Sequence, residues 1–88
     1  VSWTYSFTGT ARAVLRTLDR RAQVQIIRYL DERIARGDDP TLFGKPLRGR
    51  QHGYWRYRVG DYRIIACIER AQLQVLVVKV GHRSTVYE

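Results

Sequence analysis

Two residues, Gly60 and Asp61, separate two alternating runs, Tyr54-Trp55-Arg56-Tyr57-Arg58-Val59 and Tyr62-Arg63-Ile64-Ile65-Ala66-Cys67-Ile68-Glu69. A two-residue loop joins antiparallel strands and fixes their register, and glycine in its first position suits a type II′ turn. Val59 must then pair with Tyr62, Arg58 with Arg63, and Tyr57 with Ile64. Directly opposed residues point to the same side of a sheet, and side chains alternate along each strand. Arg56, Arg58 and Arg63 therefore share one face. Trp55, Tyr57, Val59, Tyr62, Ile64, Ala66 and Ile68 share the other, which is too apolar to face water.

The rest of the chain supplies the cover. Ser2 to Phe7 alternates, with Trp3, Tyr5 and Phe7 on one side, as a strand does. Thr8 is an N-cap candidate, and Ala11, Val14, Leu15 and Leu18 follow at helical spacing. Asp19 reads as a second N-cap, before Ala22 or Gln23, Ile26, Ile27, Leu30 and Ile34. Gly37-Asp38-Asp39-Pro40 ends that helix. Residues 41–53, with Gly44, Pro46, Gly49 and Gly53, read as an extended connection. After the hairpin, Leu73 to Val80 is a last strand, apolar on both faces at Val75-Leu76-Val77-Val78 and hence central, with Gly81 breaking it. The order strand, helix, helix, three strands predicts an α+β fold: two antiparallel helices packed on one face of a mostly antiparallel four-stranded sheet. Eighty-eight residues, 1–88, make a single domain.

The formal charge of +8 is uneven. Residues 1–44 hold seven basic and five acidic side chains, and residues 45–88 hold nine and three, so the second half carries +6. Lys45 and Lys79 are the only lysines. Guanidinium forks match phosphate better than ammonium groups do, so the arginine face reads as an anion grip. The alternative is that Arg58 and Arg63 splay into solvent or pair with Glu69. Beyond Gly81, His82, Arg83 and Tyr87 follow within six residues. If the last strand lies beside the return strand, its end lies near Tyr62 and Arg63, and arginine, histidine and tyrosine converge at one edge. A base, a cation, an acid and a stacking ring are what RNA cleavage without metal requires. Taken alone, His82 also fits an ordinary surface position. The two histidines and one cysteine make no recognisable metal site, and no glycine-rich cofactor loop is present, so no cofactor is expected. One cysteine, Cys67, excludes an intrachain disulfide and fits a reducing cytoplasm. Its apolar surroundings predict a buried small hydrophobe. No stretch approaches the roughly 20 apolar residues that cross a bilayer, so no membrane partner is expected.

The segments Lys45-Pro46-Leu47-Arg48-Gly49, Tyr54-Trp55-Arg56-Tyr57-Arg58-Val59-Gly60-Asp61-Tyr62-Arg63 and Val80-Gly81-His82-Arg83-Ser84-Thr85-Val86-Tyr87 resemble the RelE branch of the RelE/ParE toxin superfamily. The whole chain takes part in the likeness, and the second half carries its specificity. The resemblance implies the β-α-α-β-β-β fold of a type II toxin. It also implies an endoribonuclease that cuts mRNA in the A site of the 70S ribosome by 2′-OH attack, without metal. Carried over by motif, the site residues are Arg56 and Arg58 on the first hairpin strand, Arg63, Arg83 and Tyr87, with His82 beside them. Tyr87 would stack on or orient a nucleotide, Arg63 would hold the phosphate, and Arg83 would act as acid or charge stabiliser. A cognate acidic antitoxin would neutralise the toxin, and operator DNA would be met only through their complex. Family members often carry lysines where this chain has Arg56 and Arg58. A guanidinium stays protonated and is a poor base, which leaves His82, or positioning alone, to activate the 2′-OH. The alternative on the same fold is a ParE-like, non-enzymatic inhibitor of DNA gyrase. A plain nucleic-acid-binding module is a third reading.

Overall fold

The computed structural model describes residues 2–48 and 53–84. Strand β1 spans Thr4–Phe7, helix α1 Gly9–Thr17 and helix α2 Arg20–Leu30. Strand β2 spans Gly44–Pro46, β3 Tyr54–Val59, β4 Tyr62–Glu69 and β5 Gln74–His82. Both predicted caps form: the Thr8 hydroxyl accepts from the Ala11 N–H at 3.1 Å, and the Asp19 carboxylate accepts from the Ala22 N–H at 2.8 Å. Each satisfies one of the amides that a helix N-terminus leaves without a partner. After Leu30 the helix widens into a π-type turn, Asp31–Ala35, and still buries Ile34.

The strands form one sheet in the order β1-β5-β4-β3-β2, antiparallel except for the parallel pair of β1 and β5. It has five strands where the sequence predicts four. The additional one, β2, is three residues long and contains Pro46. Its composition reads as a turn because glycine and proline are poor strand formers, but an edge strand tolerates a proline that donates no hydrogen bond. Gly81 does not break β5. The strand runs through it to His82, pairing Gly81 with Arg63 and His82 with Tyr62. The hairpin register is the predicted one, Arg58 opposite Arg63 and Val59 opposite Tyr62. Gly60 adopts φ +59°, as the first position of a II′ turn demands, and a side chain there would be strained by that φ and would push the Gln25 amide of α2 aside.

The helices cover one face. Ala11, Leu15, Ile26, Leu30 and Ile34 pack there with Trp3, Tyr57, Val59, Ile64, Ala66, Val75, Val77 and Val80. Tyr57 is fully buried and its hydroxyl donates to the Pro40 carbonyl at 2.6 Å. A smaller cluster of Leu47, Ile65 and Val78 packs on the opposite face. Cys67 is only half-buried, because it alternates with Ala66 onto that thinly covered side, between Tyr54 and Leu76.

The register between β4 and β5 slips once. Ile65 pairs with Lys79 but Ala66 pairs with Val77, so Val78 is an extra residue, a β-bulge. Val78 packs outside with Ile65, while Val77 and Val80 are both in the core. The bulge thus reverses the alternation of β5 for everything after it.

Tyr5 ties β1 to the π-type turn, its hydroxyl donating to Asp31 Oδ1 at 2.6 Å. Burial, then this hydrogen bond and the charge of Asp31, push the phenol from 10.0 up to about 12. Tyr57 shifts upward too, chiefly through burial. A folded-state value above the unfolded one means stability that is complete below about pH 10 and lost as pH rises through the folded value. Urea midpoints should therefore fall between about pH 10 and 12, and Tyr5→Phe should show a shallower fall over that window than wild type.

Candidate nucleic-acid interface

On the face away from the helices, two rows of residues run across the sheet. One is Arg58, Arg63 and Gly81; the next is Lys45, Arg56, Ile65 and Lys79. Directly opposed residues share a side, so two arginines meet in the first row and Lys45 faces Arg56 in the second. Gly81 adds no side chain beside Arg63. Arg58 is exposed and Arg63 half-exposed, but Arg56 keeps only 7% of its surface. Burial, then Arg58, then Arg63, hold the Arg56 guanidinium below its ordinary value. Each of these causes penalises the cation, and an anion above the three arginines would relieve the two electrostatic ones. Glu69 cannot neutralise Arg63. It stands six residues further along β4, or about 20 Å at a strand's rise of roughly 3.3 Å per residue.

The tail residues divide. The Arg83 amide donates to the Asp61 carbonyl at 2.8 Å, which pins the end of β5 to the β3–β4 turn. His82 is directly opposite Tyr62, with ring centroids 5.7 Å apart in an edge-to-face contact. It therefore lies on the Tyr62 side of the sheet, whereas Arg56, Arg58 and Arg63 lie on the other. The sequence predicts convergence at one edge, and His82 and the arginines do meet at one end of the sheet, from opposite faces. The Ser84 amide donates to His82 Nδ1 at 3.2 Å, and the Ser84 hydroxyl lies 2.9 Å from the same nitrogen. With Nδ1 accepting, the neutral ring carries its proton on Nε2. Tyr87 and His52 lie outside the described residues.

Lys45 and Lys79 belong to this face, and sequence reasoning missed both. Lys45 arrives through the unpredicted pairing of β2 with β3. Lys79 arrives through the bulge at Val78, without which strict alternation from Val77 would have turned it toward the helices. The surface is thus broader and more basic than the arginine trio alone, a shape suited to a phosphate chain rather than to a single anion.

Residues 5–87 match the model of a protein family described as the ParE toxin of the type II toxin-antitoxin system parDE. Toxin RelG of Mycobacterium tuberculosis is 32% identical over 85 residues, 97% of this chain and 95% of RelG. Toxin RelE of the same organism is 27% identical over 82 residues, 93% of this chain and 82% of that one. Among solved structures, the toxin-antitoxin complex RelBE2 of M. tuberculosis contains a chain that matches with a TM-score of 0.86 at 32% identity, covering 94% of this chain and all of that chain. The isolated E. coli RelE toxin matches with a TM-score of 0.73 at 20% identity, covering 93% and 84%. At that identity the likeness is one of fold.

The opposed arginines also make a prediction about stability. Replacing one with a carboxylate turns repulsion into attraction, so Arg58→Glu should stabilise the fold by a few tenths to about 1 kcal/mol. The gain should shrink as salt is added. Chemical denaturation at low and high ionic strength checks both statements.

Proposed function

The chain belongs to the ParE toxin family of type II toxin-antitoxin systems, with RelE-type toxins among its relatives, and on that premise we propose that it is a ribosome-dependent endoribonuclease. The observation that carries this reading is the opposed pair Arg58 and Arg63 beside the buried Arg56 on one face of the sheet. The substrate is mRNA in the ribosomal A site of the cytoplasm. The 2′-oxygen attacks the adjacent phosphorus, the bond to the 5′-oxygen breaks, and the products are a 2′,3′-cyclic phosphate and a 5′-hydroxyl. Arg63, with Arg56 and Arg58, stabilises the charge that builds on the pentavalent phosphate. Arg83, held to the turn through its amide, supplies a cation at the leaving 5′-oxygen, which takes its proton from water. Tyr87 orients a nucleotide by stacking.

A guanidinium does not take the 2′-OH proton. His82 does so only after Ser84 gives up Nδ1 or the ring exchanges its Nε2 proton, so positioning and charge supply most of the acceleration. An antitoxin neutralises the toxin, as the toxin-antitoxin complexes among its structural neighbours support. Operator DNA is met only through that complex. The ParE description of the family model favours a second reading, a non-enzymatic inhibitor of DNA gyrase on the same fold.

Translation extract with a defined mRNA separates the two. The nuclease gives codon-positioned cuts, and Arg63→Ala and Arg83→Ala each lower the single-turnover rate on the order of 10²-fold. Whole mRNA together with trapped gyrase–DNA breaks would overturn the reading in favour of the gyrase inhibitor. Rates within threefold of wild type would remove the two arginines from the chemistry.

A further inference from the structure

The arginine face does not stop at the sheet's edge. Strand β2 pairs with β3 only from Trp55 to Tyr57, so Arg58 and Val59 lie beyond its cover. At that open edge begins a groove of about 830 Å³ between α2 and the β3–β4 turn. Arg20, Arg21, Arg28, Arg33 and Arg58 line it, against the single carboxylate of Glu32. Val24 and Tyr29 also line it, and Val24 is among the more exposed large apolar residues of the described chain. Arg58 thus borders the groove and also opposes Arg63 on the sheet.

We infer that this groove is a second RNA-binding site, which takes the phosphate backbone of a structured RNA strand continuous with or adjacent to the one on the sheet. Three features favour phosphate. Five arginines against one carboxylate leave an excess of four positive charges. Every one of these cations is a guanidinium, whose fork fits phosphate oxygens. Arg21 and Arg28 stand seven residues apart on one helix, about 10 Å at 1.5 Å per residue, so they engage separate phosphates rather than one small anion. The site holds RNA and does no chemistry. Its affinity comes from released counterions and is indifferent to base sequence. The choice of RNA as the polyanion rests on the nuclease reading above.

The test uses the full chain and a fluorescein-labelled RNA hairpin with every 2′-hydroxyl methylated, so that binding is read without cutting. Substituting Arg20, Arg21 and Arg28 together with alanine should weaken hairpin binding by about tenfold or more near physiological salt. It should also flatten the slope of log affinity against log salt by about two to three units. Alanine at exposed helix positions favours the helix, and circular dichroism checks the fold. Arg28→Gln alone, the milder change, should lower the slope by about one unit. Affinity within about twofold of wild type and an unchanged slope would overturn the inference. So would intact hairpin binding with a selective loss of poly-glutamate binding, which would assign the groove to an acidic protein segment. Arg63→Ala separates this inference from the nuclease reading, because it should slow cutting on the order of 10²-fold while the hairpin affinity still depends on Arg20, Arg21 and Arg28. A wild-type protein that cuts nothing in translation extract yet shows that same dependence would sink the nuclease and leave the groove standing.

Discussion

The structure turns on a repulsion that the backbone does not allow to relax. Gly60 at φ +59° closes a two-residue loop, and the closed loop sets Arg58 against Arg63. Neither can slide out of register, because a one-residue slip would also turn Tyr57, Val59 and Ile64 out of the core. The core holds the hairpin, and the hairpin holds two cations together. Arg56, in the next row of the same face, raises the cost further, since it is both desolvated and close to the other two charges. Folding alone gives no reason for such an arrangement. A polyanion as ligand does, because it turns each repulsion into a preorganised attraction before the ligand arrives.

Helix α2 joins the same scheme from the other side. Its apolar positions, Ala22, Ile26 and Leu30, face the core. The Gln25 side chain reaches the turn at Gly60. The hairpin that carries the arginines is therefore braced by the helix whose outer surface carries more of them. The π-type turn after Leu30 lets Asp31 reach the Tyr5 hydroxyl while Ile34 still enters the core, so the far end of the same helix is tied to β1. One fold presents a basic sheet face and a basic helix groove, meeting at Arg58.

Much of this was legible in the residues because it depends on local chemistry. Thr8 and Asp19 cap helices whatever packs on them, the Gly60-Asp61 turn sets register without outside help, and the apolar spacing of α2 names its buried side. What escaped depends on partners distant in sequence. A three-residue strand with a proline exists only because β3 offers it an edge. The bulge at Val78 has no mark in a run of four apolar residues, yet it inverts the phase of β5. Lys79 joins the basic face, Val80 enters the core and His82 sits beside Tyr62 for that reason. Cys67 escaped for a related cause: its neighbours in sequence are apolar, but among the described residues its side of the sheet has a small core of Leu47, Ile65 and Val78.

The bulge also bears on how such a site works. It puts the one imidazole of the tail on the face opposite the arginines, with Nδ1 already accepting from Ser84. The groups concentrated on the basic face, arginines and lysines, are ones that do not exchange protons near neutral pH. On the proposed nuclease reading, a site built this way would lower the barrier mainly by stabilising charge on phosphorus, and would leave deprotonation of the 2′-oxygen to positioning or to groups brought by the substrate's surroundings. The ribosome dependence proposed for this chain would then have a physical reason. A fold that supplies cations but holds its imidazole on the far face gains most from a partner that presents the 2′-oxygen in line with the bond to be broken.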